Sequence, residues 1–96
     1  VRNDGYSTAY GLFRDLLKQL RESNHLTQAE LARRLKVPQS YASKFETGER
    51  RLDFVEAAEV CRALGTSVEE FAVLFESHRK GIRRSESPKA PRRRKA

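Results

Sequence analysis

Apolar residues recur in this chain in short bursts at helical spacing, each bounded by residue types that open or close helices. Ala9, Leu12, Phe13, Leu16, Leu17 and Leu20 form a wide stripe. They predict a first helix capped by Ser7 or Thr8 and running to about Ser23, after a frayed start over residues 1–5. Tyr6 and Tyr10 suit the edge of the core there, with partner contact as the alternative. Asn24 is the expected left-handed terminator, and Leu26 anchors the link that follows. Thr27 and Glu30 have the spacing of a capping box, in which each side chain bonds the other's free backbone N–H. Ala29, Leu31, Ala32 and Leu35 supply the apolar face of this second helix, which breaks at Lys36-Val37-Pro38. Proline has no N–H to donate and fits a first turn, so a third helix opens there. It runs through Gln39 to Glu46 and stops near Gly48.

Two short helices, a tight link and a small Ala32 at their contact predict a helix-turn-helix. On the third helix Gln39, Ser40, Ser43 and Lys44 share one face, while Ala42 and Phe45 point to the core. These side chains suit base edges. Gln39 can bond adenine N6 and N7 together, Lys44 can donate to guanine O6 and N7, and the serines serve either role. The plain alternative is an ordinary exposed helix face. Tyr41 lies beside this face and is expected on sugar-phosphate or a thymine methyl. Thr47, Arg50 and Arg51 follow as candidate backbone or supporting contacts, which set register without reading sequence.

Asp53 and Glu56 form a second capping box for a fourth helix, with Val55, Ala58, Cys61 and Leu64 inward and Gly65 at its end. Ser67 and Glu70 cap a fifth helix through about Lys80. Its Val68, Phe71, Ala72, Val73, Leu74 and Phe75 are more apolar surface than one small core can cover. The surplus marks Val73, Leu74 and Phe75 as a homodimer contact.

Composition narrows the function classes. Ninety-six residues with 38% apolar positions allow one small domain, and a single Cys excludes an internal disulfide or a Cys-based metal site. Cys61 reads as a small buried apolar residue rather than a reactive thiol. No apolar run approaches the roughly 20 residues that span a bilayer, and no signal-peptide core is visible. A soluble, cytoplasmic protein is the expectation. His25 and His78 have no partners at ligand spacing, so no metal or cofactor is expected; His25 reads as an exposed loop residue, with a phosphate contact as the alternative. No catalytic constellation assembles, which argues against an enzyme. The formal net charge is +7, of which residues 81–96 carry +6 and residues 1–80 only +1. Residues 33–51 hold six bases against two acids, and residues 53–76 hold six acids against Arg62. Such segregation would turn the helix-turn-helix edge toward a polyanion. The domain is assigned to residues 1–80, and residues 81–96 read as a disordered basic tail.

The order of residue types adds a family. Leu26-Thr27-Gln28, Glu30-Leu31-Ala32, Leu35, Pro38-Gln39-Ser40, Ser43-Lys44, Glu46, Gly48-Glu49-Arg50-Arg51-Leu52-Asp53 and Ala63-Leu64-Gly65 together resemble the Cro/CI-type (XRE family) helix-turn-helix repressors. The resemblance covers about half the chain and implies an all-α, five-helix, lambda-repressor-like domain. In that family a base at the position of Arg21 pairs with an acid ending the recognition helix, here Glu46, close to a phosphate; the alternative leaves both separately solvated. A glutamine at the position of Gln28 props the first glutamine of the recognition helix, here Gln39, and bonds a phosphate. Arg33 and Arg34 would be phosphate-side or solvated, since their helix crosses the DNA backbone. Lys36 departs from the usual glycine; held left-handed, it would cost about 1 kcal/mol while adding positive charge near DNA. Ala42 departs from the usual branched residue, and Phe45 is expected to fill the space. The function implied is a sequence-specific double-stranded-DNA regulator of bacterial or phage origin, most simply a repressor acting as a homodimer on a palindromic operator. Competing readings are an antitoxin or a phage- or restriction-linked controller with a protein partner, and a protein- or RNA-binding adaptor on the same fold.

Overall fold

A computed structural model describes the backbone of residues 4–82 and the side chains of residues 9–80. The basic segment 83–96, the start of the frayed segment at residues 1–3 and the side chain of Tyr6 lie outside the described residues. Five helices follow one another: α1 (Asp4–Ser23), α2 (Gln28–Leu35), α3 (Gln39–Thr47), α4 (Phe54–Ala63) and α5 (Val68–Ile82). Helix α1 begins about one turn before the expected Ser7 or Thr8 cap, so Asp4 and Gly5 are helical rather than frayed.

The helix ends are settled by local chemistry. Both capping boxes form: Glu30 N–H donates to Thr27 Oγ1 (3.0 Å) and Thr27 N–H to Glu30 Oε1 (2.8 Å), with the same exchange between Asp53 and Glu56. For α5 only half the pattern forms. Glu70 N–H donates to Ser67 Oγ, but the Glu70 carboxylate accepts from the Thr66 hydroxyl instead. Helices α1, α2 and α4 close with Schellman pairs, Leu26 N–H to Arg21 O, Val37 N–H to Ala32 O and Thr66 N–H to Cys61 O. The left-handed residues at these ends are His25 (φ 58°), Lys36 (φ 62°) and Gly65 (φ 87°). Lys36 therefore does hold the strained position. Asn24 does not; its side-chain amide instead donates to Leu20 O (2.7 Å) and Leu64 O (3.1 Å), and His25 takes the positive φ.

The core joins all five helices. Leu16, Leu17, Leu31, Ala42, Phe45, Val60, Cys61, Leu64 and Phe71 are buried in one cluster. Phe13 meets Phe71 edge-on at 5.7 Å. Ala32 and Ala42 are both buried, which lets α2 and α3 approach closely, and Phe45 fills the interior beside them. On α4 the inward stripe is Ala57, Val60, Cys61 and Leu64. Val55 is 67% exposed and Ala58 only half-buried, contrary to expectation. At about 100° per residue Val55 lies half a turn from that stripe, on the column of Arg62.

Candidate nucleic-acid interface

Helix α3 is held from behind along its whole length. Pro38 starts it in extended geometry (φ −65°, ψ 153°) without a side-chain cap, and Gly48 ends it left-handed (φ 92°). Ala42 and Phe45 are sealed into the core. The C-terminal end is fixed through Glu46. Arg21, only 8% exposed, donates from Nε to Glu46 Oε2 (2.7 Å) and from Nη2 to Oε1 (3.2 Å), while its Nη1 donates to Leu26 O (2.6 Å). The bond to Glu46 raises the Arg21 pKa above its ordinary value. The pairing expected from the sequence is present, and it occupies the guanidinium on both edges. Gln28 joins it: its amide donates to Glu46 Oε1 at 2.9 Å, so it props Glu46 and not Gln39. The reason is reach, because the start of α2 lies beside the end of α3.

On the opposite surface Gln39, Ser40 and Lys44 are exposed, and Ser43 is half-buried. Thr47 is exposed, with its hydroxyl turned back onto Lys44 O (3.1 Å). Tyr41 belongs more to the protein than its neighbours do. It is half-buried against the core, meets Phe45 edge-on (5.9 Å), and carries the Arg50 guanidinium over its ring at 4.4 Å. Burial is the main reason its hydroxyl pKa is raised.

The loop after Gly48 is tied down rather than free. Arg50 forms a two-pronged pair with Glu56, Nη2 to Oε2 at 2.8 Å and Nη1 to Oε1 at 3.2 Å, and also donates to Arg51 O. The Arg50 bond, with the Asp53 N–H second, pulls the Glu56 carboxyl down to about 2. Arg51 is exposed and its guanidinium covers the Tyr10 ring at 4.2 Å, while the Tyr10 hydroxyl accepts from Leu52 N–H (2.8 Å). Arg33 and Lys36 are exposed at the far end of α2. Arg34 reaches across to donate to Ala63 O (2.8 Å), closing the end of α4.

Arg14 escaped the sequence reading. Its Nη1 donates to Glu46 O (3.3 Å), and its guanidinium lies so close to Gly48 that a Cβ there would sit 3.2 Å from Arg14 Cζ. Its heptad spacing from Arg21, beside the apolar stripe of the first helix, was the available signal. Of the residues expected at a dimer contact, Val73 is 71% exposed, but Leu74 and Phe75 are half-buried against the core. Phe75 instead lines a groove of about 340 Å³ with Tyr10, Phe13 and Phe54. Among the described residues no helix is long and apolar enough to cross a membrane, and no cluster of acids, His and Cys could hold a metal ion.

A rigidly backed helix presenting polar side chains at the second position of a helix-turn-helix defines a DNA-binding domain of the transcription-regulator class. Comparison places it further. The family model described as helix-turn-helix matches residues 17–71. The structure is similar to an XRE-family like protein from Pseudomonas syringae pv. tomato str. DC3000, at 40% identity and a TM-score of 0.73, covering 76% of this chain and 89% of that one. No curated protein matches the chain. The chain belongs to the XRE-type helix-turn-helix family.

Proposed function

We propose that the chain is a sequence-specific repressor that binds a palindromic operator as a homodimer, with α3 of each copy in the major groove. The observation that carries this reading is the division of labour on α3. The side chains that fix the helix face inward, while Gln39, Ser40 and Lys44 stand exposed and, among the described residues, their side chains make no hydrogen bond. Ser43 sits at the margin of the same face. Arg33, Lys36 and Arg51 flank it as phosphate contacts, and Arg50 with Tyr41 shapes the loop that carries Arg51. Residues 81–96 add sequence-independent attraction through counterion release. For the homodimer, the support is the apolar exposure of Val73 on α5 with Phe54 (72%) and Val55 on α4. Leu74 and Phe75 serve it from below, by setting the orientation of α5 on the core.

Selection of bound sequences from a random duplex pool tests the reading. A symmetric consensus with half-sites about 34 Å apart is expected. Lys44→Ala should then cost about 1–3 kcal/mol and relax preference at one base position. An equal loss on every sequence would mean that Lys44 touches phosphate alone, and no enrichment at all would end the regulator reading.

A further inference from the structure

Arg14 stands out among the cations around α3. Arg21 is matched by Glu46 and Arg50 by Glu56, each at 2.7–2.8 Å. Arg14 is half-buried, yet among the described residues no carboxylate lies within ion-pair reach of it. Glu46 offers it a backbone carbonyl, while Arg21 and Gln28 hold the Glu46 carboxylate. Arg14 Nε is buried without a hydrogen-bond partner. Withdrawing a cation from water without a counter-charge is unfavourable. The side chain is nevertheless held close to both glycines: a Cβ on residue 48 would lie 3.2–3.4 Å from its Cζ, Nε and Nη1, and one on residue 11 would lie 3.7 Å from its Nη2. A Cβ on residue 48 would oblige the guanidinium to give way by a few tenths of an ångström.

The position is informative. Tyr10, Arg14 and Arg21 lie along one side of α1, and each engages the segment from the end of α3 to the start of α4. Tyr10 takes Leu52 N–H and the Arg51 guanidinium, Arg14 takes Glu46 O, and Arg21 takes the Glu46 carboxylate. Arg14 therefore sits at the root of the turn that follows the exposed α3 face, with its charge fixed and, among the described residues, unmatched. On the reading of α3 as the DNA-reading helix, we infer that Arg14 supplies a pre-placed contact to an operator phosphate from outside the helix-turn-helix. The carbonyl bond and the packing on Gly48 hold the guanidinium; the phosphate provides the counter-charge that the fold withholds. Such a contact fixes register and carries no base preference.

The test uses the full chain and the duplex it selects from a random pool, with a mixed-sequence duplex for comparison. Arg14→Gln keeps a donor for Glu46 O but removes the charge; Arg14→Lys keeps the charge. The slope of log affinity against log salt should become shallower by about 0.9 in Arg14→Gln and recover in Arg14→Lys, with the ratio of selected to mixed-sequence affinity unchanged. A role confined to bracing α3 predicts the reverse, an altered ratio at an unchanged slope, and would overturn the inference. In the wild-type chain, the ¹⁵N resonances of the Arg14 guanidinium should shift on adding duplex; unshifted resonances at saturation would also overturn it, whatever the variants' stability. If the wild-type chain itself shows no preference between the duplexes, the operator reading fails, and that outcome is read before any variant is made.

Discussion

Glu56 serves two partners at once. It closes the α4 capping box and grips Arg50, and the Arg50 bond is the chief reason its carboxyl sits near 2. A carboxyl depressed by folding adds stability above its unfolded value, and that stability drains as pH falls toward the folded value. The window therefore runs from about pH 4.5 down to about pH 2. Both groups are about one-third exposed, so solvent screens the pair and the effect is modest. Glu56→Gln should lower the melting temperature near neutrality and flatten its decline through that window, measured as thermal midpoint against pH. Parallel curves for the two proteins would refute the assignment. Cys61 is the quiet counterpart: wholly buried, with its thiol pushed up to about 11 by desolvation, it is a core residue with no nucleophile to offer at neutral pH.

Between elements, the coupling that matters joins α1, α2 and α3 through Glu46. Arg21→Glu and Glu46→Arg should each destabilise the domain, and the double exchange should recover part of the loss. A coupling of roughly 0.5–3 kcal/mol in chemical denaturation is expected; additive losses would show the pair to be energetically idle. This tie was legible in the sequence because family order aligned a base with an acid. The capping boxes were legible too, since their spacing is local, as were Ala42 and Phe45 by periodicity. Long-range choices were not. Whether Gln28 reaches Gln39 or Glu46 depends on how α2 lies against α3, and the expectation of Arg50 at the DNA backbone gave no sign of its pair with Glu56. Val55 was misplaced because Val55 and Ala57 both begin acceptable apolar stripes, and only the packing of α4 on its neighbours selects one. Residues whose role is to close another helix, such as Asn24 and Arg34, leave no trace in the pattern of their own.

At the scale of the molecule, apolar exposure and charge fall in different places. Six bases lie between residues 33 and 51, and the proposed function assigns them and those of residues 81–96 to the DNA, while Phe54, Val55 and Val73 stand exposed on α4 and α5. Val73→Glu should shift the chain toward monomer in sedimentation while leaving its melting temperature nearly unchanged, because this side chain contributes little to the core. A wild-type chain that sediments as a monomer would end the proposed homodimer, and a variant that sediments like a dimeric wild type would move the proposed contact elsewhere. The way α3 is fastened has one more consequence. Its side-chain ties to the core and to α1 and α2 run through Tyr41, Ala42, Phe45 and Glu46, and among the described residues the side chains of Gln39, Ser40 and Lys44 take no part in them. On the proposed reading of α3, lineages carrying this scaffold could therefore rewrite those three letters, acquiring new target sites without first renegotiating the fold.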